Sequence, residues 1–498
     1  MATLYWSKLL QPKRFREQSS VKATASDNRS PFKKDFDTVC NSTILRRLQD
    51  KAQVFPLEQE DYARTRLTHS IEVMSVAESL GVQAVNIIRV ANKKYLGSTP
   101  KQRVIGEEYI KDIPTILKTV ALLHDMGNPP FGHLGEKIIG DWFKKHLPNL
   151  YFNSDKKLVF GAASEPATTL GYMFKGRYAE DLKHFEGNAQ LFRLVTKLSL
   201  VVDNNGMNLT FPVMASFVKY PTASDKVDKN HLLTKKIGFF ASEENLFLEI
   251  NRVLGLNNCR HPLAYLLEAA DDIAYLTADI EDAHRKGLIS LREIKDYFLA
   301  VEDPLVSKVV AAMDEYEKQA NEMAYEDVED YVVHRSRVLI KGLMIDAMND
   351  AFKDAYESIM TGTFDDELIA VSSAKRIAEV LRKIEKENIY YCPSILESKT
   401  RAIAVITKLL ETYVPAIVNW SEDNDKDTDS ENNLLYLSLS TNYRHICKKA
   451  NEKYAGKSNL SDDDQETMIY NKILLVTDQI SGMTDTHALT VYRMLTAN

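Results

Sequence analysis

Apolar residues recur with helical spacing along most of this chain. The pattern begins near Asp37 and predicts helices over Thr43 to Asp50, His69 to about Lys94, and Ile113 to Leu123. It returns over Pro262 to about Lys286 and continues to the C-terminus. The sequence therefore predicts an all-α fold.

Two stretches depart from this helical pattern. Residues 144–245 contain β-branched and aromatic runs, such as Leu209–Val213 and Phe217–Pro221, which predict short strands or extended loops. We interpret 144–245 as a small irregular or β insertion, in the position of a lid. The strongly acidic Ser421–Glu431 predicts a solvated surface loop.

The amino terminus is basic and only weakly periodic, which predicts a loosely packed basic N-terminal arm over residues 1–36. Its cations are Lys13, Arg14, Arg16, Lys22, Arg29, Lys33 and Lys34. A core over 37–300, which contains the insertion, and a helical C-terminal region over 301–498 follow. The chain has no internal repeat and neither a GxGxxG nor a GxxxxGK[ST] motif, so no dinucleotide or P-loop site is expected.

Composition narrows the class of protein. The 498 residues are 44% hydrophobic and 27% charged, which is typical of a soluble globular protein and excludes a disordered or fibrous one. The net charge of -7 gives no overall attraction to nucleic acid or to an anionic membrane. Any phosphate group must therefore be bound by a local collection of cations.

Cysteine usage indicates a reducing compartment. Cys40, Cys259, Cys392 and Cys447 are scattered without CxxC spacing, which argues against a structural zinc site and a secreted disulfide framework. The amino terminus has no apolar run of signal-peptide length, and no uninterrupted apolar run of about 18 to 20 residues occurs. We expect a cytoplasmic protein that does not span a membrane.

A set of histidines and carboxylates suggests metal-assisted hydrolysis. His124 and Asp125 are adjacent and offer one nitrogen and one oxygen, although an isolated pair is more often a surface or capping feature. His69 opens a predicted helix, and Asp271 or Asp272 adds a second carboxylate. This mixed nitrogen and oxygen set suits Mn, Mg, Fe or Zn.

Two further patterns lie beside these residues. Asp271, Tyr275 and Asp279 are spaced i, i+4, i+8, so they project from one side of a helix; a solvated acidic face is the alternative interpretation. His133 follows the Pro-Pro break after His124 and Asp125, and Glu136 follows three residues later. His133 is the candidate for proton transfer, or else a packed loop histidine.

Six segments in a fixed order resemble those of the bacterial deoxyguanosine triphosphate triphosphohydrolases, the dGTPases of the HD phosphohydrolase superfamily. They are RTRLTHSIEV, HDMGNPPFGHLGE, HFEGNAQ, ASFVKYP, EAADDIAYLTADIEDA and ISGMTD. The resemblance runs from about residue 27 to the C-terminus. It implies a helical HD-domain core whose C-terminal region contributes to the substrate pocket and to oligomer contacts.

The resemblance also implies residue roles. It makes His69, His124, Asp125 and Asp271 the ligands of a divalent metal, Mg or Mn first and Co, Fe or Zn as alternatives. Asp271 is preferred over Asp272 because the family places a sugar-contacting tyrosine and aspartate four and eight residues after the ligand. His133 and Glu136 resemble the family's catalytic dyad.

The substrate contacts are implied in the same way. The phosphate contacts are Arg66, Asn188, Lys219, Tyr220 and Lys236, with Lys235 left open as an alternative to Lys236. Tyr275 would crowd the 2′ carbon of the sugar, while Gln53 and Asp279 would hold the 3′-hydroxyl. For the base, Arg444 and Glu397 are candidates without a preference between them.

The expected reaction is hydrolysis of dGTP to deoxyguanosine and inorganic triphosphate, by attack of water at the α-phosphate. One alternative is a broader dNTP triphosphohydrolase with a nucleotide activator, and a generic HD phosphodiesterase is a weaker one. A nucleic-acid-binding or nucleotide-sensing regulator is another, supported by the basic arm alone. The resemblance further implies a homo-oligomer, often a hexamer, and single-stranded DNA as an effector.

Overall fold

The computed structural model describes the chain outside residues 1–2, 17–26, 56–62, 92, 164, 166–167, 175, 200–204, 423–429, 455–456, 458–459 and 497–498. It is mainly helical with one small hairpin, as the periodicity predicts. Lys22 of the predicted arm and most of the acidic stretch 421–431 lie outside the described residues.

The helices of the first half are mostly short, apart from one of 26 residues, Arg66–Ala91. They are α1 (Trp6–Leu9), α2 (Pro31–Cys40), α3 (Thr43–Arg47), α4 (Arg66–Ala91), α5 (Pro100–Ile110), α6 (Ile113–Leu123), α7 (Gly132–His146), α8 (Leu170–Met173), α9 (Arg177–Lys183), α10 (Gly187–Arg193), α11 (Phe211–Ser216) and α12 (Glu244–Leu254). Several begin at a serine or threonine whose side chain accepts a hydrogen bond from the first turn, as at Ser30, Ser42 and Thr99.

The second half is more regular. It contains α13 (Pro262–Arg285), α14 (Leu291–Leu299), α15 (Pro304–Glu322), α16 (Val328–Met360), α17 (Leu368–Val371), α18 (Lys375–Ile384), α19 (Pro393–Asn419), α20 (Glu431–Ser438), α21 (Thr441–Asn451), α22 (Asp462–Ser481) and α23 (Asp485–Thr496). Single π-helical turns occupy Leu194–Leu198 and Glu385–Ile389. Of the predicted helices, α6 spans Ile113–Leu123 and α13 ends one residue before Lys286.

The hairpin lies inside the predicted insertion, but not where the residue pattern placed it. Strands β1 (Leu150–Phe152) and β2 (Leu158–Phe160) pair antiparallel, with Tyr151 opposite Val159. The run Leu209–Val213 was expected to be extended, and this expectation is wrong for its second half, where α11 begins at Phe211. A proline in the first turn and a threonine N-cap suit a helix start, and burial in the core outweighs the β-propensity of the run.

The first described residues of the amino terminus are packed against the core, where a loose arm was predicted. Leu4, Trp6 and Leu9 are buried, and the indole of Trp6 donates a hydrogen bond of 2.8 Å to the hydroxyl of Tyr356. Helix α2 runs across the boundary predicted at residue 36. An isolated short apolar cluster has no periodicity to reveal that a distant helix covers it.

The cations of this segment are largely neutralised by carboxylates. Arg14 pairs with the buried Asp35 at 2.6 Å, and Arg29 pairs with Asp27 and Asp37. Further pairs join Lys13 to Glu249, Lys33 to Asp37, and Lys34 to Asp27. The segment is therefore not a free basic tail over its described residues, which weakens its support for nucleic-acid binding.

The centre of the molecule is a set of crossing helices. Helix α4 packs on α6 and α13, and α13 packs on α16. Gly81 of α4 permits a close approach to α6, because a Cβ added there would lie 2.9 Å from Cα of Pro114. Two helices, Arg66–Val90 and Pro393–Asn419, are long and apolar enough to cross a membrane by composition, yet here both pack against other helices.

Candidate active site

Three side chains from two distant parts of the sequence meet where the helices cross. His69 lies in the first turn of α4, whereas His124 and Asp125 follow the end of α6. All three are buried, and one nitrogen or oxygen of each lies within 4.8 Å of the others. This spacing allows a single divalent cation to be bound by all three.

The orientation of His124 fits a metal ligand. Its Nδ1 lies 2.7 Å from the carbonyl oxygen of Ala121, so Nδ1 carries the proton and donates it. In the neutral ring Nε2 then carries the lone pair, and this atom is buried without a hydrogen-bond partner among the described residues. A backbone carbonyl that fixes the other ring nitrogen is the usual support of a metal-binding histidine.

Asp125 is held in its ionised form. Its Oδ2 accepts a hydrogen bond of 2.7 Å from Arg66, and its Oδ1 accepts one of 2.6 Å from the side-chain amide of Asn128. Burial by itself would raise the pKa of Asp125, but the positive charge of Arg66 and the two histidines hold it well below the usual range. Gly132 leaves room for this arginine, since a Cβ there would lie 2.1 Å from Nη2.

Of the two neighbouring aspartates on α13, Asp271 faces this group. Its Oδ1 lies 3.1 Å from Nε2 of His69 and 3.6 Å from Nε2 of His124, and its Oδ2 accepts a hydrogen bond of 3.2 Å from Lys219. Burial opposes its ionisation, but Lys219 and the histidines keep its pKa well below the usual range. Asp271 therefore lies beside two of the three potential ligands, His69 and His124.

Asp272 faces a different environment. Its nearest cation is Arg382, 3.8 Å away, and burial together with the charges of Glu268 and Asp271 raises the pKa of Asp272 to about 8. A carboxyl group that is protonated near neutral pH is a poor metal ligand. The geometry thus distinguishes Asp271 from Asp272, a choice that the set of histidines and carboxylates in the sequence left open.

His133, in the first turn of α7, and Glu136, one turn later, form a hydrogen-bonded pair. Nδ1 of His133 donates to Oε2 of Glu136 at 2.9 Å, and the imidazole is 75% exposed while the carboxylate is buried. The carboxylate raises the pKa of His133. Burial opposes ionisation of Glu136, but His133 lowers its pKa, so the pair favours a charged imidazole that faces an open cleft.

Sequence reasoning missed the role of Gly187, although its motif was recognised. The backbone N–H of Gly187 donates to Oε1 of Glu136 at 3.0 Å, which fixes the carboxylate from the side opposite His133. A Cβ at Gly187 would lie 2.2 Å from the side-chain oxygen of Asn128 and 2.5 Å from Oε1 of Glu136. Only a glycine fits between the turn that carries Asp125 and the dyad.

A cleft of about 340 Å³ opens beside His133, and Lys236 and its alternative Lys235 are the predicted phosphate contacts that line it. Glu186, another residue that sequence reasoning missed, accepts hydrogen bonds from Lys236 at 2.9 Å and from the side-chain amide of Asn188 at 3.1 Å. Lys235 instead donates to Glu367 at 3.0 Å. Lys236 and Asn188 are thereby held together near the dyad.

Tyr220 lies between Lys219, its neighbour in sequence, and the segment that carries Lys235 and Lys236. It is buried, follows Lys219, and has the ammonium of Lys235 5.7 Å from its ring centroid. Burial raises the pKa of Tyr220, so its phenol remains a neutral hydrogen-bond donor. The structure thus places Lys219 beside Asp271, while Tyr220 lies against Lys235 and Arg260.

The helix face that continues from Asp271 is polar and mostly buried. Tyr275 and Asp279 follow on α13, and an oxygen of Asp279 and one of Gln53 are buried without a hydrogen-bond partner among the described residues. Burial, and next the charge of Glu385, raise the pKa of Asp279 well above the usual range. Unpaired buried oxygens are costly in a folded protein unless a ligand supplies the missing donors.

Arg444 and Glu397, the residues suggested as contacts of the guanine base, have no described contact with the other candidate site residues. Glu397 lies exposed in the first turns of α19. Arg444 lies over the ring of Tyr436 at 5.2 Å, and that ring stacks on Trp420 with centroids 3.5 Å apart. Both suggestions therefore stay predictions without support from the geometry of one chain.

Comparison with known proteins gives a consistent set of relatives. A deoxyguanosinetriphosphate triphosphohydrolase-like protein of Listeria monocytogenes is 38% identical, over 98% of this chain and 99% of its own. A probable deoxyguanosinetriphosphate triphosphohydrolase of Pseudomonas aeruginosa is 31% identical over 93% and 92%, and a deoxyguanosinetriphosphate triphosphohydrolase of Yersinia enterocolitica is 30% identical over 94% of each chain. No protein-family model matches the chain.

Proposed function

Because this chain belongs to the deoxyguanosinetriphosphate triphosphohydrolase family, we propose that it hydrolyses dGTP to deoxyguanosine and inorganic triphosphate. The observation that carries the proposal is the buried group of His69, His124 and Asp125, with Asp271 beside it and the His133 and Glu136 pair facing the adjoining cleft. It unites a cation site, a proton-transfer pair and a cluster of lysines, which phosphoester hydrolysis requires.

His69, His124, Asp125 and Asp271 would hold a divalent metal ion, with Mg or Mn as the first candidates. When bound, the ion supplies Lewis acidity toward a phosphoryl oxygen and the water. Arg66 neutralises Asp125 from behind and keeps its second oxygen oriented. Lys219 does the same for Asp271, so the acidic group is balanced before an anionic substrate enters.

His133 would handle the proton at the scissile bond. Its Nδ1 is occupied by Glu136, which leaves Nε2 directed away from that carboxylate and available to the cleft. A charged imidazole can give its Nε2 proton to the departing 5′-oxygen of the nucleoside. Lys236 and Asn188, held by Glu186, would contact the triphosphate chain in the cleft.

Selection for a deoxyribose would come from α13. The ring of Tyr275 would pack against C2′, where a ribose hydroxyl would clash and lose its hydration. Asp279 and Gln53 each offer an unpaired oxygen for the 3′-hydroxyl. Guanine specificity is the finer part of the proposal, and a broader dNTP triphosphohydrolase is the alternative.

The reaction is tested by incubating the protein with each of the four dNTPs and Mg²⁺, Mn²⁺ or Co²⁺, and separating the products by ion exchange. We expect intact triphosphate from dGTP and little product from the others. Equal rates with all four dNTPs would establish the broader activity. Release of pyrophosphate or monophosphate would contradict attack at the α-phosphate.

Two substitutions separate metal binding from proton transfer. We expect Asp125→Ala to lose both bound metal and activity, and His133→Ala to keep the metal while kcat falls about 100-fold or more. Metal content is measured by atomic absorption after gel filtration. The control is His146→Ala at the other end of α7, which should retain both. A fully active His133→Ala variant would exclude His133 from proton transfer.

A further inference from the structure

Two buried charged side chains from distant parts of the chain are attached to the turn between α6 and α7. Residues 126–131 of this turn follow the proposed metal ligand Asp125 and precede the proton-transfer residue His133. Lys51, which lies between α3 and α4, and Asp485, the first residue of α23, are each only 2% exposed. Buried charged groups are costly unless their contacts stabilise something specific.

Lys51 holds the first part of the turn. Its Nζ donates hydrogen bonds to the carbonyl oxygen of Asn128 at 2.6 Å and to that of Ser481, the last residue of α22, at 2.8 Å. The side-chain amide of Asn128 in turn donates to Oδ1 of Asp125 at 2.6 Å. The orientation of Asp125 thus depends on Lys51 through one intermediate residue.

These contacts do not require a fixed charge on Lys51. Burial lowers the pKa of Lys51 to about 7, and the charge of Asp485 opposes this shift. The amine and the ammonium both have the two hydrogens that the two carbonyl oxygens accept. Lys51 therefore acts as a donor on either side of neutral pH.

Asp485 holds the last part of the turn. Phe131 has a φ of 62°, in the left-handed region that is unfavourable for a large side chain. Oδ1 of Asp485 accepts the backbone N–H of Phe131 at 2.9 Å. Such a conformation persists only where the surrounding contacts impose it. Because Phe131 is the N-cap of α7, this contact helps to set the direction in which the helix carries His133.

The same two residues hold the segment that carries Gln53. Oδ2 of Asp485 accepts the backbone N–H of Ala52 at 3.0 Å, and the carbonyl oxygen of Lys51 accepts the backbone N–H of Arg66 at 2.8 Å. The proposed sugar contact and the cation that pairs with Asp125 thus share their support with the turn.

We propose that Lys51 and Asp485 are positioning residues of the reaction, which hold the turn so that Asp125 and His133 are directed to one phosphate group. The inference rests on the proposed function, because it concerns groups whose roles are assigned there. It also gives a role to the ISGMTD motif, which supplies the carbonyl oxygen of Ser481 and the carboxylate of Asp485.

Lys51→Met tests the first contact, because methionine keeps an unbranched apolar stem but has no donor. We expect the affinity for Mn²⁺, measured from the electron paramagnetic resonance of the free ion, to fall several-fold. At saturating Mn²⁺ kcat should fall about 10-fold or more, while KM for dGTP stays within about 3-fold. The control Lys111→Met removes an exposed lysine and should leave all three values within about 2-fold. Wild-type Mn²⁺ affinity in Lys51→Met would exclude Lys51 from positioning Asp125.

Asp485→Asn tests the second contact, because it replaces one of the two acceptor oxygens with an amide group. We expect the amide hydrogens of residues 126–134 to exchange faster with deuterium, as followed by mass spectrometry. The kcat should fall about 10-fold or more, whereas the affinity for Mn²⁺ should stay within about 2-fold, since Lys51 still holds Asn128. Unchanged exchange over residues 126–134 would overturn the role of Asp485.

A general loss of stability is separated by Tyr356→Phe, which removes the buried hydrogen bond from Trp6 far from the turn. This variant should unfold at lower urea concentration and yet keep the exchange of residues 126–134 and the affinity for Mn²⁺ of the wild type. If it reproduces the changes of Lys51→Met and Asp485→Asn, those changes reflect stability and the proposal is wrong. Metal affinity and exchange need no turnover, so they decide the proposal independently of whether dGTP is hydrolysed.

Discussion

The exposed imidazole of His133 rests on a carboxylate that has almost no access to water. Glu136 is fixed on one side by His133 and on the other by the backbone of Gly187, so its charge cannot turn away from the ring. Packing is equally tight at Gly132, whose lack of a side chain makes room for Arg66. The chemistry of the site thus depends on two glycines as well as on its ionisable groups.

The hydrogen-bonded pair of His133 and Glu136 predicts how kcat depends on pH. Because Glu136 raises the pKa of His133, protonated His133 persists to higher pH, and activity that needs this acid is lost as the pH rises through the raised value. Glu136→Gln keeps an oxygen for Gly187 but removes the charge. We expect the falling limb of kcat to move to lower pH, together with a loss of kcat of about 100-fold.

The measurement is kcat against pH between 5 and 10 for the wild type and Glu136→Gln, at saturating substrate and metal. Circular dichroism and metal content establish that the variant is folded and loaded. A limb that stays in place after the substitution would show that His133 is not the titrating acid.

At the scale of the helices, the positions of the proposed metal ligands His69 and His124 depend on how closely α4 and α6 cross. His69 lies in the first turn of α4 and His124 follows α6, while Gly81 in the middle of α4 allows close contact with Pro114 in the first turn of α6. Both helices are apolar on the faces that meet, where Val73, Ala77, Leu117 and Val120 are buried. The distance between the two imidazoles is therefore a property of helix packing.

Gly81→Val should force α4 and α6 apart. The added side chain has no space beside Pro114, and overpacking of this kind costs about 1 to 3 kcal/mol. We expect a lower free energy of unfolding in urea and a weaker affinity for Mn²⁺. The control Val82→Ala changes the next residue, which is 48% exposed, and should alter stability by less than about 0.5 kcal/mol. Wild-type metal affinity in Gly81→Val would show that the crossing does not set the ligand geometry.

At the scale of the whole molecule, regions distant in sequence are joined by a buried ionic cluster. Arg193 of α10, within the predicted insertion, forms hydrogen bonds of 2.7 to 3.1 Å with both oxygens of Asp478 in α22 and pairs with Glu243 at 2.9 Å. Apolar side chains of residues 144–245 belong to the same core as those of the C-terminal helices. The domain boundaries expected from sequence stay predictions, but the core is continuous across them.

Asp478→Ala should destabilise the protein as one unit. It leaves Arg193 buried with half of its partners, which costs about 3 to 5 kcal/mol. We expect one cooperative urea transition at lower denaturant. The control is Asp463→Ala, an exposed residue in the first turn of the same helix, with an effect below about 1 kcal/mol. A separate early transition of part of the chain would contradict a shared core.

Local sequence determined the helices and the chemistry available to them. Periodicity located α6 and α13, and the residue types of His69, His124 and Asp125 indicated a metal, because both kinds of signal lie within short spans. The six sequence motifs indicated the family.

The tertiary structure decided which of two neighbouring residues faces the site. It turned Asp271 and Lys236 toward the site and gave Asp272 and Lys235 other partners, Arg382 and Glu367. It buried Trp6 under α16, and placed Gly187 against Glu136. These contacts join residues far apart in the chain, so no local spacing encodes them, and packing across the core fixes them.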